Sequence, residues 1–347
     1  MRSERLPRAA AITSALALAA TVAAAPATET RSQTAGSRIW RLALTRGADT
    51  PMEATMALQV WGTRHTTSTL ARVRYGSRGR YRMDYEAPRA ARGRIVCFDG
   101  RTRWQYEPRA RTATRADSPP PDPAVAAAHA LILRNYRIAL VAERATAAGR
   151  PCYLLEVRPR RPGKVSQRRW VDRATYRTLR VETRAASGAL VSLLSYQQVR
   201  FPRSTPDDWF TLPPGDRSHV VAAPAPARPK RADEPGAVAA RLGLRAEGPL
   251  GFRATRALGS RIGGKPATQV VYSDGLASLS VFVREAHGPR TDPPRGWRRL
   301  RLGHLTAFLA RRDRAQAIAW FRGRRGYTAV SAIGAAALEA FVAGQAG

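Results

Sequence analysis

A chain of 347 residues with 44% apolar content has room for two separate hydrophobic cores, and its 27 glycines and 25 prolines favour turn-rich β architecture over long helices. The formal charge is +34, from 59 basic against 25 acidic residues, yet only Lys164, Lys230 and Lys265 are lysines. The arginines are spread along the whole length and gather in no single arm or helix. Specific nucleic-acid binding is therefore set aside, while peripheral contact with an anionic membrane surface is kept.

The chain opens as a targeting segment. Arg2, Arg5 and Arg8 precede a small, apolar run over residues 9–25, and Ala25-Pro26-Ala27 offers the small residues that a signal peptidase reads. Residues 1–27 are predicted to be a signal peptide cleaved near Ala27. The alternative, an uncleaved anchor, would need a longer and less alanine-rich run. The mature protein is expected outside the cytoplasmic membrane, in the periplasm or an equivalent extracytoplasmic space. Cys97 and Cys152 then meet oxidising conditions, and two readings stand: a disulfide between strands, or two small buried hydrophobes.

Residues 38–44 read as a short helix or as a strand leading into a sheet. From about residue 54 to 201 the pattern is one of successive antiparallel strands. Tyr81, Met83 and Tyr85 alternate with Arg80, Arg82 and Asp84, giving one greasy and one charged face. Residues 94–98 and 103–107 form a hairpin around Asp99-Gly100. A proline-rich loop over 118–123 ends in Asp122-Pro123, an N-cap followed by proline at the first helical position, so a helix is predicted over 124–135. Further strands are predicted over 137–143, 152–158, 167–172, 178–184 and 190–201.

Residues 217–238 are rich in Pro, Ala and Arg and read as an extended linker. A smaller domain follows, with strands near Phe252 and over 268–272, 277–284, 299–309, 317–321 and 327–332, and a closing helix over 335–342. Within it, residues 270–283 predict two strands around a Ser273-Asp274-Gly275 turn, with Asp274 and Gly275 shaping the turn. The predicted organisation is a signal peptide (1–27), a β-rich domain (38–216), a linker (217–238) and an α+β domain (239–345).

Residues that would carry chemistry are not arranged for it. His65, His129, His219, His287 and His304 have no metal-ligand spacing, and no Cys-x-x-Cys or His-Glu-x-x-His occurs. The Gly-x-Ser-x-Gly and Ser-x-x-Lys patterns are absent, and Gly263-Gly264-Lys265 lacks the rest of a phosphate loop. Asp207-Asp208 reads as a solvated turn, and Asp172 as a side chain bonding its own turn. No catalytic residue, metal or cofactor is expected. What stands out is aromatic side chains on strands. Trp61, Tyr81, Tyr85, Trp104, Tyr106 and Trp170 read either as core or as the lining of a ligand-binding cavity.

Several segments resemble one family in the right order. Residues 98–108 (Phe-Asp-Gly-Arg-Thr-Arg-Trp-Gln-Tyr-Glu-Pro) are similar to a hairpin of the lipoprotein-carrier folds LolA, LolB and RseB. Residues 131–138 and 148–159 resemble that fold's passage of helix, strand, Gly-Arg turn and strand, and residues 169–176 the strand and turn that follow. The Tyr272-Ser-Asp-Gly-Leu276 hairpin and residues 326–331 extend the resemblance to the C-terminal domain of the RseB/MucB family. It implies a mainly β (α+β) protein: a LolA/LolB-like half-barrel of antiparallel strands covered by helices, plus a smaller C-terminal α+β domain. In function, it implies an exported regulator that binds the extracytoplasmic part of a membrane-spanning anti-sigma factor and senses lipid or lipoprotein acyl chains. A LolA-type carrier is the alternative, and the second domain argues against it.

Overall fold

The computed structural model describes residues 24–62, 65–117, 122–213, 220–222, 234–262, 264–286, 296–312, 315–331 and 333–346. Most of the predicted signal peptide, most of the predicted linker and part of the proline-rich loop therefore lie outside the described residues.

Among the described residues the first sheet has twelve strands. In chain order they are β1 (Met52–Trp61), β2 (Thr66–Tyr75), β3 (Tyr81–Ala87), β4 (Ile95–Phe98), β5 (Thr102–Glu107), β6 (Thr112–Asp117), β7 (Tyr136–Ala147), β8 (Arg150–Pro159), β9 (Ser166–Asp172), β10 (Thr178–Arg184), β11 (Leu190–Arg200) and β12 (Val220–Ala222). The spatial order is β12-β6-β5-β4-β3-β2-β1-β11-β10-β9-β8-β7. Two antiparallel meanders thus meet where β1 pairs with β11, and β7 and β12 form the outer edges. The β4–β5 turn forms as the sequence predicts. Its Asp99 carboxylate accepts from the amides of Arg101 (2.8 Å) and Thr102 (2.7 Å), the short-range bonding that makes aspartate a turn residue.

Two helices accompany this sheet: α1 (Ala24–Leu42) and α2 (Asp122–Asn135). Residues 38–44, open between helix and strand in the sequence, are helical, and a π turn carries the helix on through Ala43–Gly47. Ile39 and Trp40 of α1 are buried with Ile132 of α2 and with Leu155, Val157 and Val171 of β8 and β9. Ser32 fixes α1 to the edge strand by donating to the Leu140 carbonyl at 2.8 Å.

Seven strands make the second sheet: β13 (Arg253–Ile262), β14 (Lys265–Ser273), β15 (Ser278–Glu285), β16 (Arg298–Leu302), β17 (Leu305–Arg312), β18 (Ala315–Arg322) and β19 (Arg325–Ser331), in the order β13-β14-β15-β19-β18-β17-β16. Helices α3 (Pro235–Arg241) and α4 (Ala335–Ala346) bury Ala239, Leu338, Phe341 and Val342 with Val270, Tyr272, Leu279, Val281, Ile318 and Trp320 of the strands. Burial alternates along β15: Leu279, Val281 and Val283 are buried, and each such side chain contributes roughly 1.5–3 kcal/mol.

The structure corrects two predictions. Residues 299–309 are two strands, because the chain reverses between Leu302 and Leu305 with Gly303 at a left-handed φ of 61°. Inside the predicted linker, Val220–Ala222 forms β12 and pairs in parallel with β6. Val220-Val221 is a β-branched pair within an otherwise Pro/Ala/Arg-rich stretch, and it extends an existing edge.

Candidate functional site

The two sheets meet at the turn between β14 and β15. One carboxylate oxygen of Asp274 accepts from the amides of Leu276 (3.0 Å) and Ala277 (2.8 Å), which closes the turn as the sequence predicts. Ser273 reinforces it, its hydroxyl accepting from the Gly275 amide (3.0 Å) and donating to the Ala277 carbonyl (3.1 Å). The other carboxylate oxygen points out of its own domain. It accepts from the Tyr136 hydroxyl at 2.7 Å and lies 3.1 Å from the Lys164 ammonium.

Both partners belong to the first sheet. Tyr136 opens β7 immediately after α2 ends at Asn135. Lys164 sits in the turn between β8 and β9, following Gly163, which takes a left-handed φ of 83°. Asn135 adds two bonds, its side-chain amide donating to the Asp274 carbonyl (2.9 Å) and to the Gly251 carbonyl (3.1 Å). Ile132, one turn earlier on α2, packs against Gly275; a Cβ built there would stand 2.7 Å from the Ile132 backbone nitrogen. At the surface Arg134 grips Glu247 with two bonds, at 2.9 and 3.2 Å.

The centre of this cluster is buried. Tyr136, Lys164 and Asp274 are all buried, and the Lys164 ammonium lies 5.3 Å from the Tyr136 ring centroid and 5.9 Å from that of Phe252. Burial pulls the Lys164 pKa below its ordinary value, against the opposing attraction of Asp274. Burial, joined by the Asp274 charge, pushes the Tyr136 hydroxyl upward. A tyrosine, a lysine and a carboxylate in contact have the residue types of an acid–base site. Here all three are buried, and the carboxylate divides its oxygens between its own turn and the Tyr136–Lys164 pair of the other domain, so the arrangement ties two domains together. Among the described residues no group of three or more His, Cys, Asp or Glu side chains is placed to hold a metal ion, and no helix is long and apolar enough to cross a membrane.

The six aromatic residues proposed as a cavity lining do not share one surface. Register places Tyr81 opposite Phe98 and Arg82 opposite Cys97, while Cys97 faces Trp104 and Ile95 faces Tyr106. Tyr81 and Tyr85 therefore lie on one face, and Trp104 and Tyr106 on the other. Tyr85 and Trp170 pack against a core of Met52, Ala54, Met56, Ala71, Val73, Cys152 and Leu179. Trp104 and Tyr106 pack against Ile95, Cys97, Ala113 and Leu212. Trp61 ends β1 and is half-buried. Arginines stack on two of the six, Arg180 over Trp170 (4.8 Å) and Arg115 over Trp104 (5.8 Å). No disulfide joins Cys97 to Cys152; both are buried as thiols, in separate cores and on strands β4 and β8 with six others between them.

The sequence points to Asp274 only as a turn residue. Nothing in its local pattern reveals that its second oxygen reaches across to Tyr136 and Lys164. One signal was available: Lys164 is one of three lysines in a chain whose other 56 basic residues are arginines.

No protein-family model and no curated protein matches this chain. Solved structures do. The complex of MucA with MucB from Pseudomonas aeruginosa superposes with a TM-score of 0.59 at 21% identity, over 88% of this chain and 96% of that one. This chain has the MucB fold. A second complex, MucB with MucA(peri), gives a TM-score of 0.58 at 20% identity and the same two coverages. MucB by itself gives 0.52 at 17% identity, over 89% of this chain and 97% of that one. An overlap of this extent takes in both sheets, so what is shared with MucB is the two-domain architecture.

Proposed function

We propose that this chain is an exported regulatory protein that binds the extracytoplasmic region of a membrane-spanning anti-sigma factor, and that it has no enzymatic activity. The observation that carries this reading is the overlap with MucB across both sheets, including MucB in its complexes with MucA. The Tyr272–Leu276 hairpin, which resembles that of the RseB/MucB family in sequence, stands at the domain junction and supports the same reading. Under this reading the protein acts in the periplasm or an equivalent compartment after removal of a signal peptide, with its arginine-rich surface favouring peripheral contact with anionic membranes.

Sensing of lipid or lipoprotein acyl chains by the first domain belongs to the same proposal. The half-buried aromatics and arginines around the twelve-stranded sheet support it, but they are divided between two faces, so only part of the roster would meet one ligand. Native mass spectrometry of the purified protein tests this part: co-purified lipid at stoichiometric amount supports it, and protein of bare polypeptide mass counts against it.

The test of the main reading is capture of solubilised membranes on the immobilised mature chain, with identification of retained proteins. Recovery of a single-pass protein with an anti-sigma-like cytoplasmic domain is the expected result. Recovery of no such protein would remove the basis for the proposal.

A further inference from the structure

We infer that Tyr136, Lys164 and Asp274 form a latch that fixes the angle between the two sheets, and that α2 is the lever that works it. The described contacts across the boundary gather on a few loops of the second domain: Leu276 packs against the core that holds Ile132 and Tyr136, Ile132 meets Gly275, and the polar contacts run from Arg134 to Glu247, Asn135 to Gly251 and Asp274, and Tyr136 and Lys164 to Asp274. Four of these first-domain residues lie within one stretch, from Ile132 to Tyr136, where α2 runs into β7. A contact of this kind is narrow and directional. A broad apolar interface tolerates sliding, whereas hydrogen bonds to one carboxylate and one carbonyl hold only at the right distance and angle.

The choice of residues fits a latch. Lysine carries a compact charge on a flexible stem, and it reaches between the Tyr136 and Phe252 rings to the carboxylate. Asp274 is committed to its own turn through one oxygen, so the hairpin is already shaped when the other oxygen receives Tyr136 and Lys164. If the latch opens, Tyr136 and Asn135 return to water together, because they are consecutive in the chain. The hairpin keeps the bonds to its own amides. Opening thus separates two intact domains tethered by the Pro/Ala-rich segment, without unfolding either.

The lever follows from connectivity. Ile132 packs in the core shared with α1, β8 and β9 and also against Gly275, and α2 continues into Asn135 and Tyr136. Any shift of the last turn of α2 against the hairpin strains the packing and both polar contacts at once. Events in the first domain that move α2 therefore reach the second sheet.

Pulsed electron–electron resonance on the mature chain, spin-labelled at Arg101→Cys and Arg256→Cys, reads the angle. Both positions are exposed, Arg101 in the β4–β5 turn of the first sheet and Arg256 on β13 of the second, and the native thiols are buried. The latched protein is expected to give one narrow distance distribution. Tyr136→Phe, which removes a single oxygen, and Lys164→Met are each expected to raise the open-to-closed ratio roughly tenfold, seen as a second or broadened population. Asn135→Ala should act in the same direction through the lever, and Arg134→Ala, at the solvated rim, should leave the distribution narrow. An unchanged narrow distribution in Tyr136→Phe, with native circular dichroism, would overturn the latch whether or not Lys164→Met folds. A narrow distribution in Asn135→Ala would overturn the lever.

Discussion

The hydroxyl of Tyr136 donates to the carboxylate of Asp274 at 2.7 Å, and this bond joins two domains whose described strands do not pair with each other. It is buried, charge-assisted and backed by Lys164 at 3.1 Å. Tyr136→Phe leaves the carboxylate with its turn amides and the lysine, so a loss of about 1–3 kcal/mol is expected. Asp274→Ala removes the turn acceptor and strands Lys164 without its counter-charge, and a larger loss, on the order of 3–5 kcal/mol, is expected. Urea unfolding followed by near-ultraviolet circular dichroism checks the ranking; equal losses would contradict it.

Gly275 and Gly264 separate backbone strain from contact. Both have left-handed φ, 103° and 79°, but an added Cβ at Gly264 meets nothing within 4 Å, while at Gly275 it runs into Ile132. Gly264→Ala is expected to cost about 1 kcal/mol from backbone strain alone. Gly275→Ala is expected to exceed it by at least about 1–2 kcal/mol, because the end of α2 must move. Thermal unfolding of the two variants side by side measures the difference.

Cys152 gives the protein an alkaline dependence with a defined sign. Its thiol is pushed up from 9.0 to about 11, first by burial and then by the nearby Asp172 charge. Between these values the folded state keeps a proton that the unfolded chain has released. The contribution is therefore full below about pH 9 and is lost as pH rises through about 11. Cys152→Ala is expected to flatten this part of the stability profile. In the same way, the native thiol should stay silent to alkylating reagents at pH 8 until the protein unfolds.

Arg134 and Glu247 span the same boundary as the latch, but their side chains are 54% and 51% exposed. Water and salt screen such a pair, so Arg134→Ala is expected to change stability by less than about 1 kcal/mol, and by less still in high salt. Urea midpoints at low and high ionic strength check both statements.

Local chemistry made much of the fold legible. Asp99-Gly100 and Asp274-Gly275 announce tight turns between alternating strands, and both turns form. Asp122-Pro123 announces a helix, and α2 runs from Asp122 to Asn135. Along β15 the pleat buries Leu279, Val281 and Val283 and leaves Ser280 only partly covered, in keeping with a strand predicted there. Long-range relations were not legible. Whether Tyr81 and Trp104 share a face depends on the pairing of β3, β4 and β5, and no property of either residue encodes it. The partners of Asp274 lie 138 and 110 residues away in the chain, so its second role was hidden behind its first.

The proposed role of this two-domain chain is binding of the extracytoplasmic region of an anti-sigma factor. Isothermal titration of the mature chain with that region, taken from a single-pass anti-sigma factor of the same organism, tests it most directly. Saturable binding of the intact chain at a defined stoichiometry is the expected result. An absence of binding to the intact, folded chain would contradict it.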